Sequence, residues 1–212
     1  FYVVLARTSG PGSRGLSMII VPGEAVTEVA RYDLVAPHPC GKLTFNNVRV
    51  PLENLVGAEG EGFKVAMRTL DHFRPTVGAA ANGMAARALD EARRRVKTRH
   101  QFGKPIAQFQ QLQAYLADSW SELLAARRLV ARAGTAHAEN DPMAGQYSSA
   151  AKMFATEAAQ RIIDRAVQIH GGSGVHRGTV VERLYREIRA LRIYEGTTEI
   201  QKIVLSRGVL KD

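Results

Sequence analysis

The sequence has one cysteine and no long apolar run. Cys40 has no second cysteine to pair with, which excludes an internal disulfide, a redox pair and a cysteine-based metal cage, and which favours a reducing compartment. The longest apolar runs, such as residues 18–21 and 203–205, are far shorter than the roughly 20 residues that cross a bilayer. The first residues show neither the charged start nor the cleavage site of a signal peptide, and they are typical of the middle of a longer chain.

Acidic residues are outnumbered, 20 against 29 basic ones, which gives a net charge of +9. Such an excess suits nucleic acid, a membrane surface or phosphorylated ligands. A nucleic-acid reader needs a basic stripe interleaved with aromatic side chains, and none is visible. The densest basic cluster, 93–99, lies where a helix is predicted to end, and cations there suit the helix dipole. Solvated helix faces are therefore the favoured explanation.

The amino-acid composition of the chain changes near residue 58. Before it, short β-branched and aromatic runs alternate with Gly and Pro turns, which predicts strands. After it, Ala, Leu, Arg, Gln and Glu dominate, which predicts helices. The sequence therefore predicts a mainly α fold: part of an antiparallel β-domain in residues 1–57, then an antiparallel four-helix bundle in residues 58–212. The predicted strands are 1–6, 15–21, 26–31 and 42–50.

Apolar spacing of three and four residues marks the helices. The long ones are predicted at about 62–98, 108–138, 143–170 and 198–208, with a shorter one around 180–187. Pro75 removes one backbone hydrogen bond from the first helix and predicts a kink. The second helix has an apolar stripe of Leu112, Leu116, Trp120 and Leu123, and the third has one of Phe154, Ala158, Ile162, Ala166 and Ile169.

Two segments between helices carry unusual residues. Residues 99–106 (RHQFGKPI) offer an Arg fork for a phosphate and a Phe face for an aromatic ring, although Gly103 and Pro105 also explain a simple helix end. Residues 168–174 (QIHGGSG) place three glycines in four residues, which permits close approach to a ligand and also ends a helix. From spacing alone, the structural explanations are favoured for both.

Two further segments carry carboxylates. In residues 193–201 (IYEGTTEIQ), a Thr caps the last helix and Glu195 lies just outside it, where a carboxylate is either tuned for proton abstraction or merely complements the helix N-terminus. In residues 71–75 (DHFRP), Asp71 and Arg74 are spaced to pair beside the predicted kink. The scattered histidines show no metal-ligand spacing, so no metal site is predicted.

Taken together and in this order, these segments resemble the acyl-CoA dehydrogenase family of flavoproteins. The resemblance covers the whole chain, and the last three of its matching stretches are highly specific as a set. They are 45–57 (FNNVRVPLENLVG), 61–63 (EGF), 70–75, 99–110 (RHQFGKPIAQFQ), 168–174 and 194–201. The resemblance implies a sheet domain before a C-terminal four-helix bundle, FAD as cofactor, an acyl-CoA substrate and oxidation of its α,β carbon–carbon bond.

Residue roles follow from the resemblance only where residues match. Glu195 stands where many members hold the base that removes the substrate's α-proton. Phe73 stands where other members hold that base, and Phe takes no proton. Asp71, Arg74 and Tyr194 match substrate-binding positions. The resemblance implies FAD contacts for Arg99, Gln101, Phe102, Phe109, Gln110, Gln168, Gly171, Gly172, Gly196, Thr197 and Glu199, the first five toward the cofactor of a neighbouring subunit.

The resemblance also implies partners: a homotetramer or dimer of dimers, and electron-transfer flavoprotein or a similar acceptor, in the bacterial cytoplasm or, in a eukaryote, the mitochondrial matrix. Neither nucleic acid nor membrane insertion is expected. The family's N-terminal helical domain and the first half of its sheet domain have no match in these residues, so the chain by itself is expected to be colourless. The alternative is a non-catalytic or half-site subunit of a hetero-oligomeric dehydrogenase, which the presence of Glu195 and Arg99 disfavours.

Overall fold

The computed structural model describes residues 1–211, which form two compact units, residues 1–70 and a second unit that begins at Asp71. The first is rich in strands and the second is helical, so the predicted mainly α fold with a small antiparallel β-region is confirmed. The longest helix, α1 (Gly62–Thr98), begins in the first unit and continues in the second. The predicted domain boundary at residue 58 stays a prediction.

The first unit contains five short strands. They are β1 (Tyr2–Arg7), β2 (Leu16–Val21), β3 (Glu28–Arg31), β4 (Gly41–Thr44) and β5 (Leu55–Val56). An antiparallel sheet has the order β1-β2-β5, with Tyr2 opposite Val21 at one end of its first pair and Arg7 opposite Leu16 at the other. β3 pairs with β4 in a separate antiparallel ladder. The first three predicted strands are confirmed with small changes at their ends.

The fourth predicted strand, 42–50, is wrong in its second half. Strand β4 ends at Thr44, and Asn47 has a φ of 49°, a left-handed conformation that no extended strand accommodates. Farther along, the buried Ser17 hydroxyl on β2 accepts a hydrogen bond from the Gly60 N–H at 2.9 Å and bonds the Thr8 hydroxyl at 2.8 Å. These bonds hold the turn that leads into α1 against β2.

The second unit is built from long helices whose bounds lie close to the prediction. After α1 come α2 (Gln110–Ala138), α3 (Ala144–His170), α4 (Val180–Leu191) and α5 (Thr198–Val209). The connection between α1 and α2 contains a small hairpin of β6 (His100–Gln101) and β7 (Lys104–Pro105), which the sequence did not predict. Helix α1 continues through Pro75, and the kink there stays a prediction.

Small apolar side chains form the core of the second unit. On α1 the buried positions recur every three or four residues, and they are Val77, Ala81, Ala85, Ala88, Ala92 and Val96. Gly78 lies in a tight place, because a side-chain carbon there would come within 2.9 Å of Val130 Cγ2 on α2 and 3.3 Å of the Ala151 carbonyl oxygen on α3. The absence of a side chain at residue 78 therefore lets three helices approach closely.

Two apolar stripes were predicted, and one of them needs correction. On α3, Ala158, Ile162, Ala166 and Ile169 are buried and Phe154 is partly buried, as predicted. On α2, Leu123 is buried, but Trp120 is 58% exposed and its neighbour Ser119 takes the buried position. Within residues 1–211 no α-helix is long and apolar enough to cross a membrane.

Candidate functional site

Glu195 lies on a short left-handed turn between α4 and α5. Its φ is 55° and that of Gly196 is 90°, so two successive residues adopt a conformation that L side chains rarely take. The turn ends at Thr197, the N-cap of α5, whose hydroxyl accepts a hydrogen bond from the Ile200 N–H at 3.4 Å. We call residues 194–197 the Glu195 turn.

Three buried side chains donate to the carbonyl oxygens of this turn. Arg74 Nε on α1 donates to the Glu195 oxygen at 3.3 Å, and Lys152 Nζ on α3 donates to the Gly196 oxygen at 2.7 Å. Gln201 Nε2 on α5 donates to both oxygens, at 3.1 and 3.0 Å. All three donors are more than nine-tenths buried. The left-handed backbone is therefore held from inside the unit by three different helices.

The Glu195 carboxyl group has few partners of its own. Its Oε2 atom is buried and has no hydrogen-bond partner among the residues that the structure describes. Burial raises the pKa of Glu195, while the positive charges of Arg74 and Lys152 lower it. Burial also raises the pKa of the neighbouring Tyr194, and the Glu195 charge adds to that effect. An ionised carboxylate with an unused oxygen is a candidate proton acceptor.

Arg74 connects the Glu195 turn to Asp71 on α1. The Arg74 side chain is 4% exposed, and its Nη1 lies 2.6 Å from Asp71 Oδ1. The Asp71 backbone oxygen also bonds His137 Nε2, at 3.0 Å. The predicted pairing of Asp71 with Arg74 is therefore present, and Arg74 lies behind Glu195. The side chain of Phe73, which lies between Asp71 and Arg74 in the sequence, is largely exposed.

A second carboxylate fixes both ends of the connection from α4 to α5. Glu157 Oε1 on α3 accepts hydrogen bonds from Arg192 Nε at 2.9 Å and from the Thr198 hydroxyl at 2.6 Å. The Thr198 N–H in turn donates to the Arg192 carbonyl at 3.2 Å. These two partners outweigh the effect of burial and lower the pKa of Glu157. The loop that carries Glu195 is thus tied down where it leaves α4 and where it enters α5.

The hairpin between α1 and α2 has its own left-handed pair. Phe102 and Gly103 have φ values of 51° and 77°, and the Phe102 side chain is 91% exposed. The rings of Phe102 and Phe109 make an edge contact with centroids 6.1 Å apart, and Lys104 Nζ lies 4.6 Å from the Phe109 ring centroid. Arg99, Gln101 and Gln110 are also exposed. This hairpin therefore presents a guanidinium, an amide and an aromatic face to the outside.

A glycine turn follows α3. Gly171 has a φ of 61°, and a side-chain carbon built at Gly171 or Gly172 would meet nothing within 4 Å, so the backbone there is open to an approaching molecule. Gln168 beside them is exposed. Arg95 Nη2 near the end of α1 donates to the His170 oxygen at 3.4 Å, which joins the ends of α1 and α3. The hairpin and the glycine turn therefore lie at one end of the bundle.

The predicted site residues fall into two groups. Hydrogen bonds or chain adjacency join Asp71, Arg74, Tyr194, Glu195, Gly196, Thr197 and Glu199 in the first group. Arg99, Gln101, Phe102, Phe109, Gln110, Gln168, Gly171 and Gly172 form the second. In residues 1–211 no hydrogen bond or ion pair joins one group to the other. Glu199 is exposed in the first turn of α5, where its own N–H and the Thr197 hydroxyl lower its pKa.

Two polar residues that hold the first group in place were not predicted as site residues. Lys152 and Gln201 are fully buried and bind the Glu195 turn. Lys152 lies outside the segments selected from the sequence, and Gln201 closes the last of them without an assigned role. A signal was available for Lys152, because it lies four residues after Ser148 and three before Ala155 on the buried face of α3. No group of three or more potential metal ligands occurs in the part of the chain that the structure describes.

Comparison with known proteins agrees with this architecture. Residues 60–210 match the family described as acyl-CoA dehydrogenase, C-terminal domain. The chain is 39% identical over 216 residues to the probable acyl-CoA dehydrogenase FadE25 of Mycobacterium tuberculosis, covering 100% of this chain and 56% of that protein. It is 42% identical over 204 residues to acryloyl-CoA reductase (NADH) of Anaerotignum propionicum, covering 94% of this chain and 52% of that protein.

Solved structures agree as well. Butyryl-CoA dehydrogenase from Megasphaera elsdenii matches with a TM-score of 0.94 and 37% identity, covering 99% of this chain and 56% of that one. A chain from a structure of the electron transferring flavoprotein of Acidaminococcus fermentans matches with a TM-score of 0.93 and 39% identity, covering 100% and 57%. The fold and the family match define a helical-bundle unit of a flavoprotein dehydrogenase. The chain belongs to the acyl-CoA dehydrogenase family, and it spans little more than half the length of these relatives.

Proposed function

We propose that this chain is the C-terminal part of an FAD-dependent acyl-CoA dehydrogenase that introduces an α,β double bond into an acyl-CoA thioester, with Glu195 as the catalytic base. The observation that carries this proposal is the buried, unpartnered Oε2 atom of Glu195 on a turn whose backbone is held by Arg74, Lys152 and Gln201. A general base needs a fixed position and a free lone pair, and this carboxylate has both.

Glu195 takes the substrate's α-proton onto its carboxylate. Burial raises the pKa of this carboxyl group, which strengthens it as a base, and the charges of Arg74 and Lys152 limit the rise. When bound, FAD supplies the acceptor for the hydride that leaves the β-carbon. The thioester α-proton is weakly acidic, so the developing negative charge on the carbonyl oxygen needs a fixed donor.

The backbone N–H of Glu195 is the donor that this chain offers for that oxygen. Among the residues that the structure describes, none accepts a hydrogen bond from it. Arg74 and Gln201 hold the Glu195 carbonyl oxygen, so the turn is supported on the C-terminal side of this N–H. We propose that one rigid turn thus supplies both the base and a donor to the reacting thioester.

The acyl chain is proposed to lie near Asp71, Arg74 and Tyr194. Tyr194 is partly exposed beside Glu195 and offers an aromatic face. Arg74 is buried behind the Glu195 turn, where it supports substrate binding through Glu195 and through its ion pair with Asp71. Phe73 remains exposed on the same stretch of α1 and has no proton-accepting atom, so Glu195 is the base in this proposal.

The donor set at the far end of the bundle fits FAD. Arg99 and Gln101 offer donors for a pyrophosphate, Phe102 offers an exposed aromatic face, and the backbone at Gly171 and Gly172 is open. We propose that Arg99, Gln101 and Phe102, with Phe109 and Gln110, contact the FAD of a neighbouring subunit. Gln168, Gly171 and Gly172 are proposed to lie against the adenine and pyrophosphate side of FAD. Gly196, Thr197 and Glu199 are proposed to contact the FAD of their own subunit.

The proposed assembly is a homotetramer, since the hairpin residues are exposed here and need a second subunit to contact a cofactor. Electron transferring flavoprotein is the proposed electron acceptor, in keeping with the solved structure from Acidaminococcus fermentans that this chain resembles. The cytoplasm is the proposed location. These proposals concern the whole protein, of which this chain matches the C-terminal portion.

The substitution Glu195→Gln tests the base. It keeps the shape of the side chain and removes the proton acceptor, so we expect bound flavin and an unchanged melting temperature, with turnover of a straight-chain acyl-CoA lowered roughly 10²- to 10⁴-fold. Glu139→Gln is the matched control, because Glu139 is an exposed glutamate paired only with Arg132 and should leave turnover unchanged. Turnover near the normal rate in Glu195→Gln would refute the assignment.

A further inference from the structure

Lys152 is a buried cation on α3 that the proposed reaction does not by itself require. Its side chain is fully buried, and within residues 1–211 its ammonium group donates one hydrogen bond, to the Gly196 oxygen. Burying an ammonium group costs free energy that a methionine of similar length would not cost, and replacing buried charges by apolar groups is often neutral or stabilising. The presence of lysine at this position therefore calls for a reason beyond packing.

Hydrogen bonding to Gly196 is not a sufficient reason. The same carbonyl oxygen already accepts a hydrogen bond from Gln201 Nε2 at 3.0 Å, so it is satisfied without Lys152. The neutral amide of Gln201 on α5 and the charged ammonium of Lys152 on α3 thus donate to the same oxygen. What the ammonium adds and the amide lacks is its positive charge.

The charged groups around Lys152 show which carboxylate its positive charge can act on. The charged groups near Lys152 are Glu195, Arg74, Glu157 and Glu199. Glu157 already has Arg192 and the Thr198 hydroxyl as partners, and Glu199 is exposed to water. Glu195 is the remaining carboxylate, and its Oε2 is both buried and unpartnered. In residues 1–211 no ion pair within 4 Å joins Lys152 to Glu195, so the two interact through space.

We propose that Lys152 is a positioning residue of the Glu195 turn whose buried ammonium group, anchored on the Gly196 oxygen, keeps the Glu195 carboxylate ionised by its charge. This inference rests on the proposed function for its catalytic meaning. Lys152 approaches from the carbonyl side of the turn, so it supports the carboxylate without neutralising it by direct contact. A direct ion pair would occupy the oxygen that must receive a proton.

Titration of Lys152 itself gives the proposal a signature. Burial lowers the pKa of Lys152 to about 8, with the nearby Arg74 adding to the decrease and Glu195, Glu157 and Glu199 opposing it. The charge is therefore present at neutral and acidic pH and is lost as pH rises past about 8. Above that pH, the natural protein and a variant without the charge become electrostatically alike at Glu195.

The first experiment compares Lys152→Met with Gln201→Met in the flavin-bound protein expressed from its complete gene. We expect turnover in Lys152→Met, relative to the natural protein, to fall about tenfold at pH 6 and to approach equality above pH 9, because one unit of pKa is a tenfold change in the ionised fraction on the acid side. Gln201→Met removes two neutral hydrogen bonds from the same turn and should lower turnover by the same factor at every pH.

A third variant separates charge from hydrogen bonding. Lys152→Gln keeps a donor near the Gly196 oxygen but carries no charge, so it should behave as Lys152→Met does. The proposal is overturned if the loss in Lys152→Met is independent of pH, if Gln201→Met shows the same acid-selective loss, or if Lys152→Gln matches the natural protein at pH 6. Flavin absorbance and melting temperature verify that each variant is folded.

The second experiment detects the effect of the Lys152 charge on position 195 without measuring enzyme activity. Glu195→Cys, made together with Cys40→Ser, introduces a thiol at the turn, and the rate of its alkylation by iodoacetamide is followed by peptide mass between pH 6 and pH 10. A nearby cation lowers a thiol pKa, so adding Lys152→Met should slow alkylation several-fold at pH 7 and leave it unchanged at pH 10. Equal rates at pH 7 would overturn the proposal.

The two proposals fail in different ways. Normal turnover in Glu195→Gln refutes the catalytic base, and the alkylation experiment still decides whether Lys152 acts on position 195. An inactive Glu195→Gln combined with unchanged alkylation in the Lys152→Met background preserves the base and refutes the role of Lys152.

Discussion

The Glu195–Gly196 and Phe102–Gly103 pairs have nearly the same left-handed backbone and opposite surroundings. The first pair is fixed by Arg74, Lys152 and Gln201, all buried in the same unit, whereas the second lies at the tip of a two-stranded hairpin with its phenylalanine almost fully exposed. A turn held from inside suits chemistry that needs a fixed atom. A turn that presents its side chain outward suits contact with a second molecule.

The largest expected effect on stability comes from adding a methyl group at Gly196 in the first pair. A side-chain carbon at Gly196 would lie 2.7 Å from Gln201 Nε2, so in Gly196→Ala the buried amide must shift, which weakens its two hydrogen bonds, and the backbone is strained as well. We expect a loss of about 3 kcal/mol in the free energy of unfolding, measured by denaturant titration, together with a large loss of turnover.

Gly103→Ala is the matched control for that change. Its φ is 77°, but a side-chain carbon there would meet nothing within 4 Å. Only the left-handed strain remains, so we expect a loss of about 1 kcal/mol. Equal losses at the two glycines would show that the interior donors contribute nothing to the Glu195 turn.

An intermediate effect is expected in the pH dependence of stability. The pKa of Lys152 is about 8 in the folded protein and 10.5 as the ordinary value, so between these limits the unfolded state binds more protons. The natural protein should therefore gain stability relative to Lys152→Met as pH rises from 8 toward 10.5, with a constant difference below pH 8. Melting temperatures of the two proteins at pH 7, 8, 9 and 10 measure this. A natural protein that loses stability relative to Lys152→Met as pH rises from 8 to 10 would contradict the buried charge.

The smallest effect on stability is expected for a substitution in the hairpin. The same substitution should specifically weaken the binding of the cofactor. Arg99→Ala removes an exposed guanidinium, so the free energy of unfolding should change by less than about 0.5 kcal/mol. Flavin retention and tetramer formation should weaken together, because the pyrophosphate loses charge-assisted donors. Flavin absorbance after gel filtration and the mass of the eluted species are the measurements.

Arg93→Ala provides the comparison for that prediction. Arg93 is exposed near the same end of α1 and pairs only with Asp90, so its removal costs the same charge without touching the hairpin. Flavin loss in both variants would indicate a general effect of charge. Full flavin occupancy in a dissociated Arg99→Ala monomer would contradict a cofactor contact made across subunits.

The helices of this chain could be predicted from sequence because several signals agree at their ends. Gly62 and Thr98 bound α1 as predicted, since the apolar period, the turn residues and the following Gly and Pro all point to the same limits. The strand predicted at 42–50 is too long, because Asn47 adopts a left-handed conformation that the β-branched residues around it do not indicate. Trp120 was placed on an apolar stripe because it continues the three- and four-residue spacing of that helix, although its side chain is exposed and the neighbouring Ser119 is buried.

The candidate site could be predicted in part. Glu195, Arg74 and Asp71 were selected, and the structure brings them together. Lys152 was missed because lysine is normally an exposed residue, and its partner is a backbone oxygen 44 positions away in sequence. A contact between a side chain and a distant carbonyl leaves no local pattern. Such supports of a site become visible only when the helices are packed.

The carboxylate of Glu157 has a consequence for how this protein can diversify. Because Glu157 binds both Arg192 and Thr198, the loop that carries Glu195 has fixed ends and no spare length. An inserted or deleted residue in that loop would break one of these bonds or move the turn away from Lys152. A side-chain exchange at an exposed position such as Phe73 leaves both bonds of Glu157 in place, so the turn should tolerate it better than a change in loop length.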